Sequence, residues 1–81
     1  MKLIKDNYYM WHRPQKYHMT IIKCLYEEPM AYVCTIMWDK LKSNKNWIKV
    51  GGTYKFHIYK EARSRMIFKH LTEKDLFIEV L

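Results

Sequence analysis

Glycine, proline and cysteine each occur only twice in this chain of 81 residues, and its 8 carboxylates are outnumbered by 15 Lys and Arg. Each scarcity excludes something. Two cysteines, Cys24 and Cys34, are too few for the disulfide framework of a small secreted domain, and they do not form a CxxC pair. Two glycines, adjacent at Gly51-Gly52, leave no glycine-rich phosphate loop, and no Gly/Ser linker or internal repeat divides the chain. No apolar run approaches the ~18 residues of a membrane span. Met1–Asn7 has no stretch apolar enough for a signal peptide. The expected setting is therefore the reducing cytoplasm, and the host cytoplasm if the chain is phage-encoded. No basic amphipathic helix is evident, so no membrane partner is expected.

What is present is apolar, aromatic and basic. The hydrophobic fraction is 49%, with three Trp, seven Tyr and three Phe. Residues 1–81 suit one domain, whose core is thin because a chain of this size buries little more than ~60% of its unfolded surface. Large aromatic anchors compensate for the missing staples, and a homodimer would add to them. Lys, Asn, Ile, Met, Phe and Tyr dominate while Gly, Ala, Arg and Pro are scarce. That bias towards AT-rich codons fits a low-GC bacterium or its phage.

Tyr17–Tyr26 and Met30–Trp38 are rich in β-branched and aromatic residues and read as two strands of an antiparallel hairpin turning at Glu28-Pro29. This register puts Cys24 opposite Cys34, on one face with Ile22, Tyr26, Tyr32 and Ile36, either as two small buried residues or as a redox pair. The alternative is a helix over 29–42 opened by Pro29. Asp39–Asn46 reads as a polar loop or a short helical turn, and Trp47–Val50 leads into Gly51-Gly52, where positive φ at both positions suits a tight turn. Tyr54, Phe56 and Ile58 then alternate with Lys55, His57 and Tyr59 as a half-buried strand. Arg65–Leu71 is a further strand. Residues 76–81 alternate as a last strand, with a helix at 72–81 capped by Thr72 as the alternative. Leu3-Ile4 and Tyr8–Trp11 are candidate edge strands. The expected fold is mainly β, a five- to six-stranded antiparallel barrel of OB-like or SH3-like type, with an α+β arrangement as its rival.

The net charge of +7 favours an anionic partner, either nucleic acid or an acidic protein surface. The stretch from Trp38 to Lys49 is the leading candidate: Lys40, Lys42, Lys45 and Lys49 supply phosphate contacts, and Trp47 offers a face for an unpaired base. A second basic group comprises Lys55, Lys60, Arg63, Arg65 and Lys69, of which Lys55, Arg63 and Arg65 join the binding set. Acidic residues gather at Glu73, Asp75 and Glu79. Tyr8, Tyr9, Trp11 and Arg13 form an aromatic-basic group of the kind enriched at protein interfaces. Catalysis finds little footing, since there is no zinc spacing among the four His and two Cys, no nucleophile motif and no cofactor signature. A small metal-independent ribonuclease using His57, Lys55 and Tyr59 is the one enzymatic class left open. The leading expectation is a non-enzymatic module that engages nucleic acid through its phosphate backbone. Its rival is a protein-binding inhibitor, such as a phage factor acting on a host or defence enzyme.

Overall fold

The two runs of β-branched and aromatic residues become the two longest strands of the computed structural model, which describes residues 2–80. In chain order the elements are β1 (Tyr8–His12), β2 (His18–Glu27), β3 (Ala31–Leu41), β4 (Ile48–Lys49), β5 (Lys55–Tyr59), α1 (Lys60–Arg63), β6 (Ile67–Leu71) and α2 (Glu73–Val80). The hairpin of β2 and β3 places Cys24 opposite Cys34 and Ile22 opposite Ile36, and Glu28 N–H closes the turn on Ala31 O at 2.8 Å. The helix over 29–42 does not form. Val33, Thr35 and Ile36 resist helix through restricted χ1, and β3 finds ladder partners on both edges, β2 on one side and β4 and β5 on the other. Tyr26 departs from the expected face: a register shift between Cys24 and Tyr26 pairs it with Val33 and leaves it exposed.

All pairings are antiparallel, in the order β4-β3-β2-β1-β6, with β5 also on β3. In a flat sheet, three strand spacings of ~4.8 Å would hold β5 ~14 Å from β1. Yet Phe56 of β5 stacks on Trp11 of β1 at 6.0 Å between centroids, and Phe68 of β6 lies 5.7 Å from the same indole. The sheet is therefore coiled around Trp11, which defines an inner and an outer face. Leu3, Tyr9, Ile22, Cys24, Tyr32, Cys34, Ile58 and Phe68 form the inner core. Leu3-Ile4 is no strand; Leu3 is buried in that core, and Ile4 N–H donates to the Tyr9 hydroxyl at 2.8 Å.

The outer face carries a smaller cluster of Met10, Ile21 and Leu71, covered by Leu76 and Val80 of α2 and flanked by Trp38 and Trp47. The last segment is thus a helix rather than the expected strand. Thr72 and Asp75 start it by reciprocal capping: Thr72 N–H donates to Asp75 Oδ2 and Asp75 N–H to Thr72 Oγ1, each at 3.1 Å. Hydrogen bonding to the Thr72 side chain, then to its N–H, holds the Asp75 carboxyl below its ordinary range. Leu76 and Val80, one helical turn apart, then reach the same apolar patch. No helix among the described residues is long and apolar enough to cross a membrane.

The polar excursion is shorter than the sequence suggests, because β3 runs on to Leu41 and β4 is only Ile48–Lys49. Gly51 and Gly52 have φ of +77° and +75°, as their pairing implied. Their N–H groups donate to Met37 O at 3.1 Å and Ile36 O at 3.0 Å, pinning the turn to the irregular point of β3. A Cβ at Gly52 would sit 3.2 Å from Met37 Sδ, whereas at Gly51 it meets nothing within 4 Å. Gly51→Ala and Gly52→Ala should each cost roughly 1–2 kcal/mol from the left-handed backbone alone, with Gly52→Ala the more destabilising in urea unfolding. Equal losses would remove the Met37 contact from this account.

Candidate nucleic-acid interface

Side chains alternate across a sheet, and directly paired residues share a face, so register sorts every strand residue to one side or the other. Lys23 pairs with Tyr8 and Thr35, and Thr35 pairs in turn with Lys55. Lys49 pairs with Trp38, Trp38 with Ile21, Ile21 with Met10, and Met10 with Lys69. Lys40 pairs with Met19. Met10, Ile21, Met19, Trp38 and Tyr8 all belong to the outer cluster. All five lysines in strands, Lys23, Lys40, Lys49, Lys55 and Lys69, therefore lie on the outer face. The two strand carboxylates lie on the inner side, Asp39 opposite Thr20 in the Trp11 row and Glu27 opposite Tyr32.

The carboxylates are also engaged elsewhere. Glu27 pairs with Lys2 and Lys60, Glu28 with His57, and Asp39 with His18. The Lys60 and Lys2 ammonium groups pull the Glu27 carboxyl below its usual range. Among the described residues, none of the five outer lysines forms an ion pair. Two of them rest on aromatic rings, Lys23 Nζ 5.7 Å from the centroid of Tyr8 and Lys40 Nζ 4.9 Å from that of Trp47. Lys69 alone lies beside an acidic element, within Coulombic reach of Asp75.

The residues singled out from the sequence separate into three groups. Lys40, Lys49 and Lys55 stand on the outer face, with Lys45 exposed in the following turn and Trp47 half-buried against the outer cluster. Lys42 and Arg63 are spent internally. Lys42 Nζ donates to the carbonyls of Arg13 and Pro14 at 3.0 and 3.3 Å. Arg63 packs 4.7 Å from the Phe68 ring centroid and donates from Nη1 to Met66 O. Arg65 is exposed at a separate cleft. Lys23 and Lys69 were missing from the binding set; only strand pairing shows that they share the side of Lys49 and Lys55.

The aromatic group expected at a protein interface is mostly built into the sheet. Tyr9 is a correction: it is 1% exposed and offers nothing to a partner. Tyr8 is half-buried against Trp38, and Trp11 is the pivot of the inner core. Arg13 lies with its guanidinium 4.3 Å from the Trp11 ring centroid and donates from Nη2 to Thr20 Oγ1 at 2.7 Å. Of the ribonuclease candidates, His57 is held at 3.0 Å by Glu28 and stacks on Tyr59.

Cys24 and Cys34 are fully buried and free. Burial pushes the Cys34 thiol up to about 12 and raises that of Cys24 as well. Comparison of the chain with protein-family models, curated proteins and solved structures finds no match to any of them. Because the thiolate is the reacting form, a chromogenic thiol reagent at pH 8 should leave both cysteines of the folded protein untouched and titrate both after unfolding in guanidinium. Prompt reaction of the native protein would show that the β2–β3 ladder opens readily.

Proposed function

We propose that this protein is a non-enzymatic module that binds nucleic acid through the phosphate backbone, using the outer face of its sheet. One observation carries the reading: the five strand lysines share one face, unpaired, while both strand carboxylates sit on the other. Such a field suits a polyanion passing over the part of the outer face that α2 leaves open, where Lys23, Lys40, Lys49 and Lys55 stand on β2 to β5. Each neutralised phosphate releases counterions, whatever the base sequence. Tyr8, Trp38 and Trp47 lie among the lysines, half-buried, and supply ring surface beside the backbone track. The Trp47 ring already receives Lys40, so backbone contact dominates over base stacking in this reading. We further read the coiled sheet as barrel-like, its inner core closed by β5 and β6 meeting over Trp11.

A second reading, a protein-binding inhibitor, is favoured by one feature. Phe77 and Ile78 on α2 are each 65% exposed, an apolar pair facing away from the sheet. Retention of a single protein partner that oligonucleotides do not displace would select it.

A salt series of oligonucleotide binding tests the main proposal. Four to five lysine–phosphate contacts give a slope of log K against log salt of about −3 to −4. Lys40→Ala, Lys49→Ala and Lys55→Ala should each flatten it by about 0.7–0.9. Lys2→Ala and Lys60→Ala, whose ammonium groups are paired with Glu27, should leave it unchanged. Absence of binding to single- and double-stranded DNA and RNA at low salt, or a slope indifferent to the three outer-face variants, would refute the proposal.

A further inference from the structure

A cleft lined by none of the outer-face lysines lies apart from the lysine field. It measures about 370 Å³ and opens between the turn joining β1 to β2 and the turn joining α1 to β6. Arg13 and Lys16 come from the first turn and Arg65 from the second; His12 and Trp11 of β1 complete the basic and aromatic lining. No carboxylate lines it, and none of Arg13, Lys16 and Arg65 is ion-paired among the described residues. Three permanent cations around one small concavity repel each other unless an anion joins them.

Both walls are fixed in advance. The first turn is closed by Lys16 N–H on Arg13 O at 3.0 Å, and the Lys42 ammonium clamps the carbonyls of Arg13 and Pro14. The second is closed by Arg65 N–H on Ala62 O and Met66 N–H on Arg63 O, each 3.1 Å, with Arg63 donating to Met66 O. The Arg13 guanidinium lies 4.3 Å from the centroid of Trp11, an indole that also stacks on Phe56 and Phe68, and spends one donor on Thr20 Oγ1. The Thr20 hydroxyl in turn donates to Asp39 Oδ1, whose other oxygen pairs with His18, so this carboxylate is separated from Arg13 by Thr20 and lies outside the cleft. A guanidinium held in this way is pre-organised for the oxygens of a phosphate.

We propose that this cleft is a phosphomonoester site, separate from the outer face, taking the terminal phosphate of a nucleotide. Its volume is that of a small-ligand pocket, and the three cations line one concavity rather than tracking along a strand. A dianionic phosphate end satisfies that charge density, whereas an internal phosphodiester brings one negative charge and two bulky substituents. Lys42 and Arg63 are positioning residues here, since each acts by bracing a turn.

Two measurements on the full chain test the assignment. Adenosine monophosphate and inorganic phosphate should shift the amide resonances of Arg13, Lys16 and Arg65, and adenosine should not. A short oligonucleotide carrying a 5′-phosphate should bind about tenfold more tightly than its 5′-hydroxyl counterpart, equivalent to ~1.4 kcal/mol. Lys16→Ala and Arg65→Ala, both at exposed positions, should abolish the preference while 5′-hydroxyl binding and the melting temperature stay unchanged. Resonance shifts with adenosine monophosphate but no end preference would assign the cleft to free nucleotides; both together would assign it to strand ends. Loss of 5′-hydroxyl binding with the phosphate shifts intact would overturn the lysine face and spare the cleft. Absence of shifts with either phosphate compound, or an end preference that survives the double variant, would overturn the cleft.

Discussion

The ladder between β2 and β3 is the constraint on which the rest of the molecule depends. With Cys24 set against Cys34, period-two alternation assigns every neighbouring side chain to one face, and a slip of one residue would exchange the two faces entirely. The fully buried pair tolerates no such slip, because it would carry Ile22, Cys24, Cys34 and Tyr32 out of the inner core and bring lysines into it. Burying an unpaired ammonium costs several kcal/mol, far more than any single strand preference contributes. The five-lysine face is therefore a consequence of packing as much as of any selection for charge.

Coiling adds the second level of organisation. Trp11 contacts Phe56, Phe68 and Arg13, and so joins the two edge strands of the sheet to the turn after β1. Aromatic pairs of this kind contribute ~0.5–1.5 kcal/mol each beyond their buried area, a useful sum in a chain with no disulfide. Trp11 itself also lines the basic cleft. A single indole thus stabilises the fold and orients a guanidinium, which ties the geometry of the cleft to the integrity of the core.

Cations in this protein divide into those already satisfied and those that are free. Lys2, Lys60, Lys42 and Arg63 are engaged with carboxylates, carbonyls or a ring, and they hold turns and strand ends together. Among the described residues the outer-face lysines, and Lys16 and Arg65 of the cleft, have no carboxylate partner. Net charge alone does not separate these groups. Partner geometry does, and it moves two of the residues singled out from the sequence, Lys42 and Arg63, from binding to bracing.

The sequence by itself determined the strands, the Pro29 hairpin with its Cys24–Cys34 register, and the positive-φ turn at Gly51-Gly52. Each follows from a local rule, side-chain alternation or glycine's freedom, that needs no knowledge of distant residues. It also carried both signals for the last segment, and the Thr72–Asp75 cap was legible. What only the tertiary structure decided was which signal won, since Leu76 and Val80 needed a patch made by β1, β2 and β6 to cover. Likewise, the common side of Lys23, Lys49, Lys55 and Lys69 depends on register across non-adjacent strands. Tyr9's burial depends on a core to which β5 and β6, far along the chain, contribute Ile58 and Phe68. Local chemistry sets what a segment prefers; which face it turns to solvent is set by partners far along the chain.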